Sequence, residues 1–124
     1  MNMTVTFDTS AWIEYFAGTD LGRNVKKYVD SMDIIYTPTI DLLEIKNKYE
    51  REKKKWKSRI DFICGRSTIV DIDREIALLA ADMKKDFGLY SIDAIIYATA
   101  RLQKSKLLTK DGHFEGLKDV IMLK

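Results

Sequence analysis

Four acidic residues in four separate segments, Asp8, Glu44, Asp93 and Asp111, are the groups in this sequence best placed to do chemistry. Asp93 is the most informative. It stands in Tyr90-Ser91-Ile92-Asp93-Ala94-Ile95-Ile96-Tyr97-Ala98-Thr99-Ala100, where Ser91 is a good helix N-cap and the next two turns are apolar on nearly every side. A helix apolar all round is a buried helix. A buried charge without a partner costs several kcal/mol, or shifts its pKa until it is neutral. The helix N-terminus offsets only about 0.3–1 kcal/mol for an exposed acid and up to about 2 kcal/mol for a partly buried one. Asp93 is therefore expected to have a further partner. A hard divalent cation would serve, since Mg2+ and Mn2+ take oxygen ligands and bind through a few carboxylates together with substrate phosphates. Such a site activates water and neutralises charge on a phosphodiester. Without the cation, at least one of several clustered acids should have a raised pKa. Zinc is disfavoured, because one cysteine, Cys64, and one histidine, His113, cannot complete its usual ligand set.

Whether the acids meet depends on the elements that carry them. The alternating run Met3–Phe7 predicts a strand ending at Asp8, and Thr9 and Ser10 offer caps for a short helix with Trp12, Ile13 and Phe16, closed by Gly18. A second helix is expected over 20–32, then a strand over 33–37 stopped by Pro38, the only proline. Leu42, Ile45, Tyr49, Trp56, Ile60 and Ile63 form one stripe, predicting a long helix from Thr39 to Trp56 or beyond, ended by Gly65. A short strand over 68–71 precedes a helix capped by Asp73 and ending near Gly88. The Asp93 helix should run to about Lys104, Leu107–Thr109 should be a strand leading into Lys110-Asp111-Gly112, and Val120–Leu123 a last one. Strands alternating with helices predict an α/β fold, a parallel sheet with helices on both faces.

Ligands of open parallel sheets bind outside the carboxyl ends of the strands. Asp8 follows its strand directly, Asp111 lies just past one, and Glu44 and Asp93 lie in the first turns of helices that start at the same edge, so all four can reach one pocket. Each also has a plainer use. Asp8 could cap a helix, although Ser10 makes it redundant there; Asp111 could be a turn residue before Gly112; Glu44 could simply be exposed. Asp41 is a lower-ranked candidate, close to Glu44 but assigned to a different side of the helix.

At 124 residues the chain is expected to be one domain, 1–124, and its 46% hydrophobic and 32% charged residues are ordinary for a globular protein. The net charge of +2 argues for no partner by itself, but residues 46–59 hold eight basic and two acidic side chains. That run, with Lys46, Arg51 and Lys54 as candidate contacts, could attract RNA phosphates, or it could be a solvated face supported by a Glu50–Lys54 pair. Tyr49 and Trp56 could stack on bases, but their spacing favours packing. The single Cys64 excludes an internal disulfide, fits a reducing compartment and is expected to be a buried apolar residue. No secretory leader or apolar run of membrane-spanning length is present, so the expectation is a cytoplasmic protein with no membrane association.

The ordered set Phe7-Asp8-Thr9-Ser10, Glu44 in a mid-chain helix, Asp93-Ala94-Ile95-Ile96-Tyr97-Ala98-Thr99-Ala100, and Leu108-Thr109-Lys110-Asp111-Gly112-His113-Phe114 resembles the PIN-domain nucleases. It is most similar to the small VapC-type ribonuclease toxins of prokaryotic toxin–antitoxin pairs, and the likeness covers essentially the whole chain. It implies a three-layer α/β/α sandwich with a central parallel sheet, and Asp8, Glu44, Asp93 and Asp111 as the catalytic, metal-binding set. Thr109 would order the site by hydrogen bonding, with Thr9 and Ser10 as further supporting residues. The activity implied is Mg2+- or Mn2+-dependent hydrolysis of RNA leaving a 3′-hydroxyl and a 5′-phosphate. The partners implied are a small antitoxin and a second copy of the chain in a homodimer. Two departures stand out: bulky Ile92 and Tyr97 flank Asp93 where small residues are common, which would narrow the pocket, and Thr39 replaces a serine often found ahead of Glu44.

Other readings remain open. A phosphoacceptor receiver domain has similar length and class but needs an acidic neighbour for Asp8, which is absent. A housekeeping PIN nuclease in RNA maturation, or an inactive PIN module that only binds, would share most of these features. His113 could act as a general base or be incidental.

Overall fold

The computed structural model describes residues 3–124. Its centre is β1 (Thr4–Phe7), in which Val5, Thr6 and Phe7 are all buried. The alternation of types along this strand does not become alternation of exposure, because a central parallel strand is covered on both faces. β1 pairs in parallel with β2 (Ile34–Pro38) on one side and β4 (Lys106–Thr109) on the other. β3 (Thr68–Val70) and β5 (Val120–Met122) complete the order β3-β2-β1-β4-β5, all parallel.

The helices are α1 (Thr9–Ala17), α2 (Asp20–Val29), α3 (Thr39–Arg51), α4 (Lys57–Arg66), α5 (Arg74–Phe87) and α6 (Ser91–Leu102). They bury two apolar layers. Phe7, Trp12, Val25, Ile35, Ile45 and Ile63 pack in one layer, with α1 to α4. Ile76, Met83, Ile96, Tyr97, Leu107 and Phe114 form the other, with α5 and α6. The result is the α/β sandwich with helices on both faces of a parallel sheet.

Several local expectations are corrected. The predicted long helix is two, α3 and α4, separated by residues 52–56, where Lys53 takes a left-handed φ of 57° and Lys54 N–H returns to Tyr49 O at 2.8 Å. Like charges at Lys53, Lys54 and Lys55, with no apolar side chain among them, give a helix nothing to bury there. Gly65 lies inside α4 rather than ending it. Ser91 is the first residue of α6, not its cap; Tyr90 holds the cap position and Ser91 Oγ accepts from Lys84 Nζ at 3.0 Å. Asp73 does cap α5, accepting from Ile76 N–H at 2.8 Å. Pro38 is the last residue of β2 rather than the residue that stops it. Cys64 is exposed on α4, not buried. Among the described residues no helix is long and apolar enough to cross a membrane.

Candidate active site

β1 and β4 deliver two acids to their carboxyl ends. Asp8 follows β1, and its backbone N–H continues the sheet by donating to Leu108 O at 3.0 Å. It occupies the cap position of α1, yet its side chain caps nothing. Instead Asp8 Oδ2 accepts from Ser10 Oγ at 2.8 Å and from Thr109 Oγ1 at 2.7 Å. The residue is only 5% exposed. That burial raises its carboxyl to about 6, against the two hydroxyl donors, which lower it, while the nearby Glu44 charge adds to the rise.

Thr109 ties this acid to the next. It is fully buried at the end of β4, and its hydroxyl also accepts the Asp111 backbone N–H at 2.9 Å. Asp111 then caps a short 3-10 turn, Gly112–Phe114, by accepting from His113 N–H at 2.9 Å. The turn brings His113 Nδ1 to 3.3 Å from Asp111 Oδ1 and 3.1 Å from Asp93 Oδ2. Asp93 sits in the first turn of α6, its side chain 15% exposed, so it is partly rather than deeply buried. Desolvation raises its carboxyl above the usual range, the His113 hydrogen bond opposes that, and the Asp111 charge reinforces it. The ligand atoms of Asp93, Asp111 and His113 lie within 4.8 Å of one another.

Glu44 belongs to a different group. Thr9 Oγ1 lies 2.6 Å from Glu44 Oε1 and 3.0 Å from Asp41 Oδ1. One hydroxyl proton cannot serve both acids at once. Asp41 is fully buried, which drives its carboxyl well above the usual range, with the Asp8 charge adding to the effect. A protonated Asp41 can donate to Thr9, leaving the Thr9 proton for Glu44. Asp41 Oδ2 is buried without a hydrogen-bond partner among the described residues. Its assignment to a different side of the helix is thus corrected: residues three apart on a helix are neighbours, and Asp41 shares the Thr9 hydroxyl with Glu44.

The four acids therefore form two groups, Asp93 with Asp111, and Asp8 with Glu44, and Asp41 joins the second. Thr109 and Ser10 bridge them, Ser10 Oγ accepting Lys110 N–H at 3.0 Å. Neither Asp8 nor Glu44 lies inside the Asp93–Asp111–His113 triangle. Two expected neighbours point elsewhere. Tyr97 is buried, packed edge-on against Phe87 with its hydroxyl donating to Lys118 O at 2.6 Å, so it does not narrow a pocket at Asp93. Thr39 donates to Val70 O at 2.7 Å and serves the end of β3 rather than Glu44. Ile92 is exposed.

The basic run leads away from the acids. α3 starts at the carboxyl edge of the sheet, and at about 1.5 Å per residue Arg51 lies roughly 10 Å along the helix from Glu44. Lys46 pairs with Glu50 at 3.6 Å and lies 4.6 Å from the Trp56 ring, while Lys54 pairs with Glu52 at 3.2 Å. These pairs replace the expected Glu50–Lys54 contact. Tyr49 is buried in the core, with the Arg59 guanidinium 4.4 Å from its ring. A shallow concavity of about 620 Å³ lies in the α3–α4 bend, lined by Lys53, Trp56, Lys57 and Asp61 among others, and none of the site acids lines it.

A family model described as the PIN domain matches residues 5–120. No curated protein matches the chain by sequence. Among solved structures the fold is similar to a toxin–antitoxin complex from Klebsiella pneumoniae, with 24% identity, 97% of this chain and 98% of that chain covered, and a TM-score of 0.81. It is similar to VapBC2 from Rickettsia felis bound to a promoter DNA fragment, at 18% identity, 97% of each chain and a TM-score of 0.77. It is also similar to VapC20 from Mycobacterium tuberculosis, a toxin that cleaves the sarcin–ricin loop, at 16% identity, 97% and 99% coverage and a TM-score of 0.74.

Proposed function

The chain belongs to the PIN domain family, and from that membership we propose that it is a Mg2+- or Mn2+-dependent endoribonuclease, the toxin of a toxin–antitoxin pair. The observation that carries the proposal is the meeting of Asp93 and Asp111, from α6 and the end of β4, beside a buried Asp8 held by two hydroxyls.

The residues fit a divalent cation. The donors are mainly hard carboxylate oxygens, which suit Mg2+ and Mn2+. Asp8, Asp41 and Asp93 all have carboxyls raised above their usual range, so ionising them together is costly without added positive charge. Asp8, Asp93 and Asp111 would hold the ion directly or through water, with Glu44 shared or serving a second one. When bound, the ion activates water and offsets the charge of the scissile phosphodiester. The protein then needs no nucleophilic side chain. Ser10 and Thr109 fix the Asp8 carboxylate, Thr9 orients Glu44, and the Asp111-capped turn fixes Asp111 relative to Asp93.

The similar structures include a toxin–antitoxin complex and a toxin that cleaves the sarcin–ricin loop. By that analogy the substrate is RNA, the regulator a small antitoxin, and the protein a homodimer, with Lys46, Arg51 and Lys54 reaching RNA that runs along α3.

The test is cleavage of labelled RNA by the purified chain with Mg2+, with Mn2+ and with EDTA. Metal-dependent products carrying 5′-phosphates are expected, and Asp93→Asn should lose them with the fold intact. Unchanged cleavage by that variant, or in EDTA, overturns the reading. Growth arrest on expression, relieved by a small neighbouring reading frame, separates a toxin from a housekeeping nuclease.

A further inference from the structure

Between Asp93 and Asp111 stands a side chain that a site built only of carboxylates does not require. His113 Nδ1 is 3.1 Å from Asp93 Oδ2 and 3.3 Å from Asp111 Oδ1. Its placement is built by the backbone. Asp111 Oδ1 accepts His113 N–H at 2.9 Å, which folds the ring back over the carboxylate that caps its own turn. Phe114, fully buried, anchors the turn in the core. The Tyr90 ring meets the imidazole with centroids 5.3 Å apart and planes at 65°. The ring is thus held on one side and open to water on the other, its side chain 56% exposed.

We propose that His113 Nδ1 is a nitrogen ligand of the divalent site and makes that site select Mn2+ over Mg2+. The inference rests on the metal-dependent reading above and adds to it a choice of ion. A carboxylate set accepts both ions, whereas an imidazole nitrogen suits transition ions and contributes little to hard Mg2+. Neighbouring ligands of an octahedral ion with bonds near 2.1 Å stand about 3 Å apart, and the two separations from Nδ1 are close to that. Against an ionised Asp93, Nδ1 would carry the proton and donate it. As a ligand it offers its lone pair instead, with the proton on Nε2, where the exposed side of the ring lets water accept it. That exchange of tautomers gives up only the hydrogen bond to Asp93, which a shared ion would replace.

The test uses the full chain stripped of metal, titrated calorimetrically with Mn2+ and with Mg2+ alone, as wild type, His113→Ala and His113→Asn. Pulsed electron paramagnetic resonance of the Mn2+-loaded wild type, with and without 15N-labelled histidine, reads a directly bound imidazole nitrogen. We expect that nitrogen coupling in the wild type and none in either variant. Losing the ligand should weaken Mn2+ by about tenfold or more, leave Mg2+ within about twofold, and so collapse the preference. Absence of the coupling, or Mn2+ and Mg2+ affinities that move together in the variants, overturns the proposal. Tighter binding of both ions by His113→Ala would overturn it too, since the ring would then compete with the ion. Asp93→Asn separates the two levels. If neither ion binds the wild type more tightly than Asp93→Asn, the metal-dependent reading fails; if only the His113 variants behave like wild type, the ligand assignment alone fails.

Discussion

The Thr109 hydroxyl donates to Asp8 Oδ2 at 2.7 Å, joining residues 101 positions apart at the centre of the sheet edge. The same oxygen accepts the Asp111 backbone N–H, so one buried side chain sets the distance between two halves of the site. Thr109→Val keeps the shape and removes both bonds. Leaving a buried carboxylate and an N–H short of a partner should cost about 1–3 kcal/mol, read as a lower urea midpoint in EDTA. Because the Thr109 bond lowers the Asp8 carboxyl, its loss should move the Asp8 titration above 6, visible by carbon NMR. RNA cleavage should fall sharply, and Thr109→Ser should recover most of it. A valine variant with wild-type stability and activity would show that the bridge has no role.

Asp8 also makes the stability of the metal-free protein depend on pH. Its carboxyl titrates near 6 in the fold against 3.8 ordinarily. Between these values the native state holds a proton that the unfolded chain has released, so stability falls as pH rises through the window. At about 1.4 kcal/mol per pH unit the Asp8 share is of order 3 kcal/mol by neutral pH. The raised Asp41 and Asp93 carboxyls push in the same direction. Melting in EDTA should therefore give a higher Tm near pH 4.5 than near pH 7, and Asp8→Asn should flatten that slope. Mn2+ at pH 7 should restore the difference. A Tm that climbs from pH 4.5 to pH 7 in EDTA contradicts the assignment.

Arg66 has a purely architectural role. Its Nε donates to Val29 O at 2.7 Å, and Nη2 lies 3.0–3.2 Å from the carbonyls of Tyr28, Ser31 and Asp33. One guanidinium thus closes the turn between α2 and β2. Arg66→Ala should destabilise by about 2–3 kcal/mol, while Arg66→Lys recovers only part, lacking the planar fork. Cleavage per folded molecule should not change, because Arg66 touches none of the site acids. Equal stability of the alanine variant would mean that water replaces these bonds at no cost.

How much of this was legible in the sequence follows from what each residue depends on. Asp8 and Asp111 were readable because each lies at or just past the end of an apolar run, and parallel topology sends both runs to one edge. The break between α3 and α4 was not, since Tyr49 and Trp56 are seven residues apart and keep the stripe in phase across it. The left-handed Lys53 has no glycine to announce it. Cys64 was misplaced because residue type argues for burial, whereas its position on α4 faces water. The contacts of Asp41 and His113 were not legible for a common reason. Their partners, Thr9 for one and Asp93 for the other, come from distant segments that only the folded chain brings near.

Asp41 gives the last test. Its Oδ1 lies 3.0 Å from the Thr9 hydroxyl, its Oδ2 is buried without a partner among the described residues, and burial drives the carboxyl well above its usual range. Such a group costs the fold more at neutral pH, where the unfolded chain has released its proton, than in acid, where both states keep it. Asp41→Asn keeps an acceptor for Thr9, removes the charge, and adds an amide that can donate toward Glu44 or Asp8. In EDTA at pH 7 the variant should melt higher than wild type, by about 4 °C for each kcal/mol gained, and the gap should close toward pH 4. A variant that melts lower at pH 7 would contradict that cost, and in either case Asp41 stands behind Glu44 as a positioning group or beside it as a ligand. Mn2+ titration of the same variant decides between these, because a positioning role leaves affinity near wild type while a ligand role lowers it by about tenfold or more.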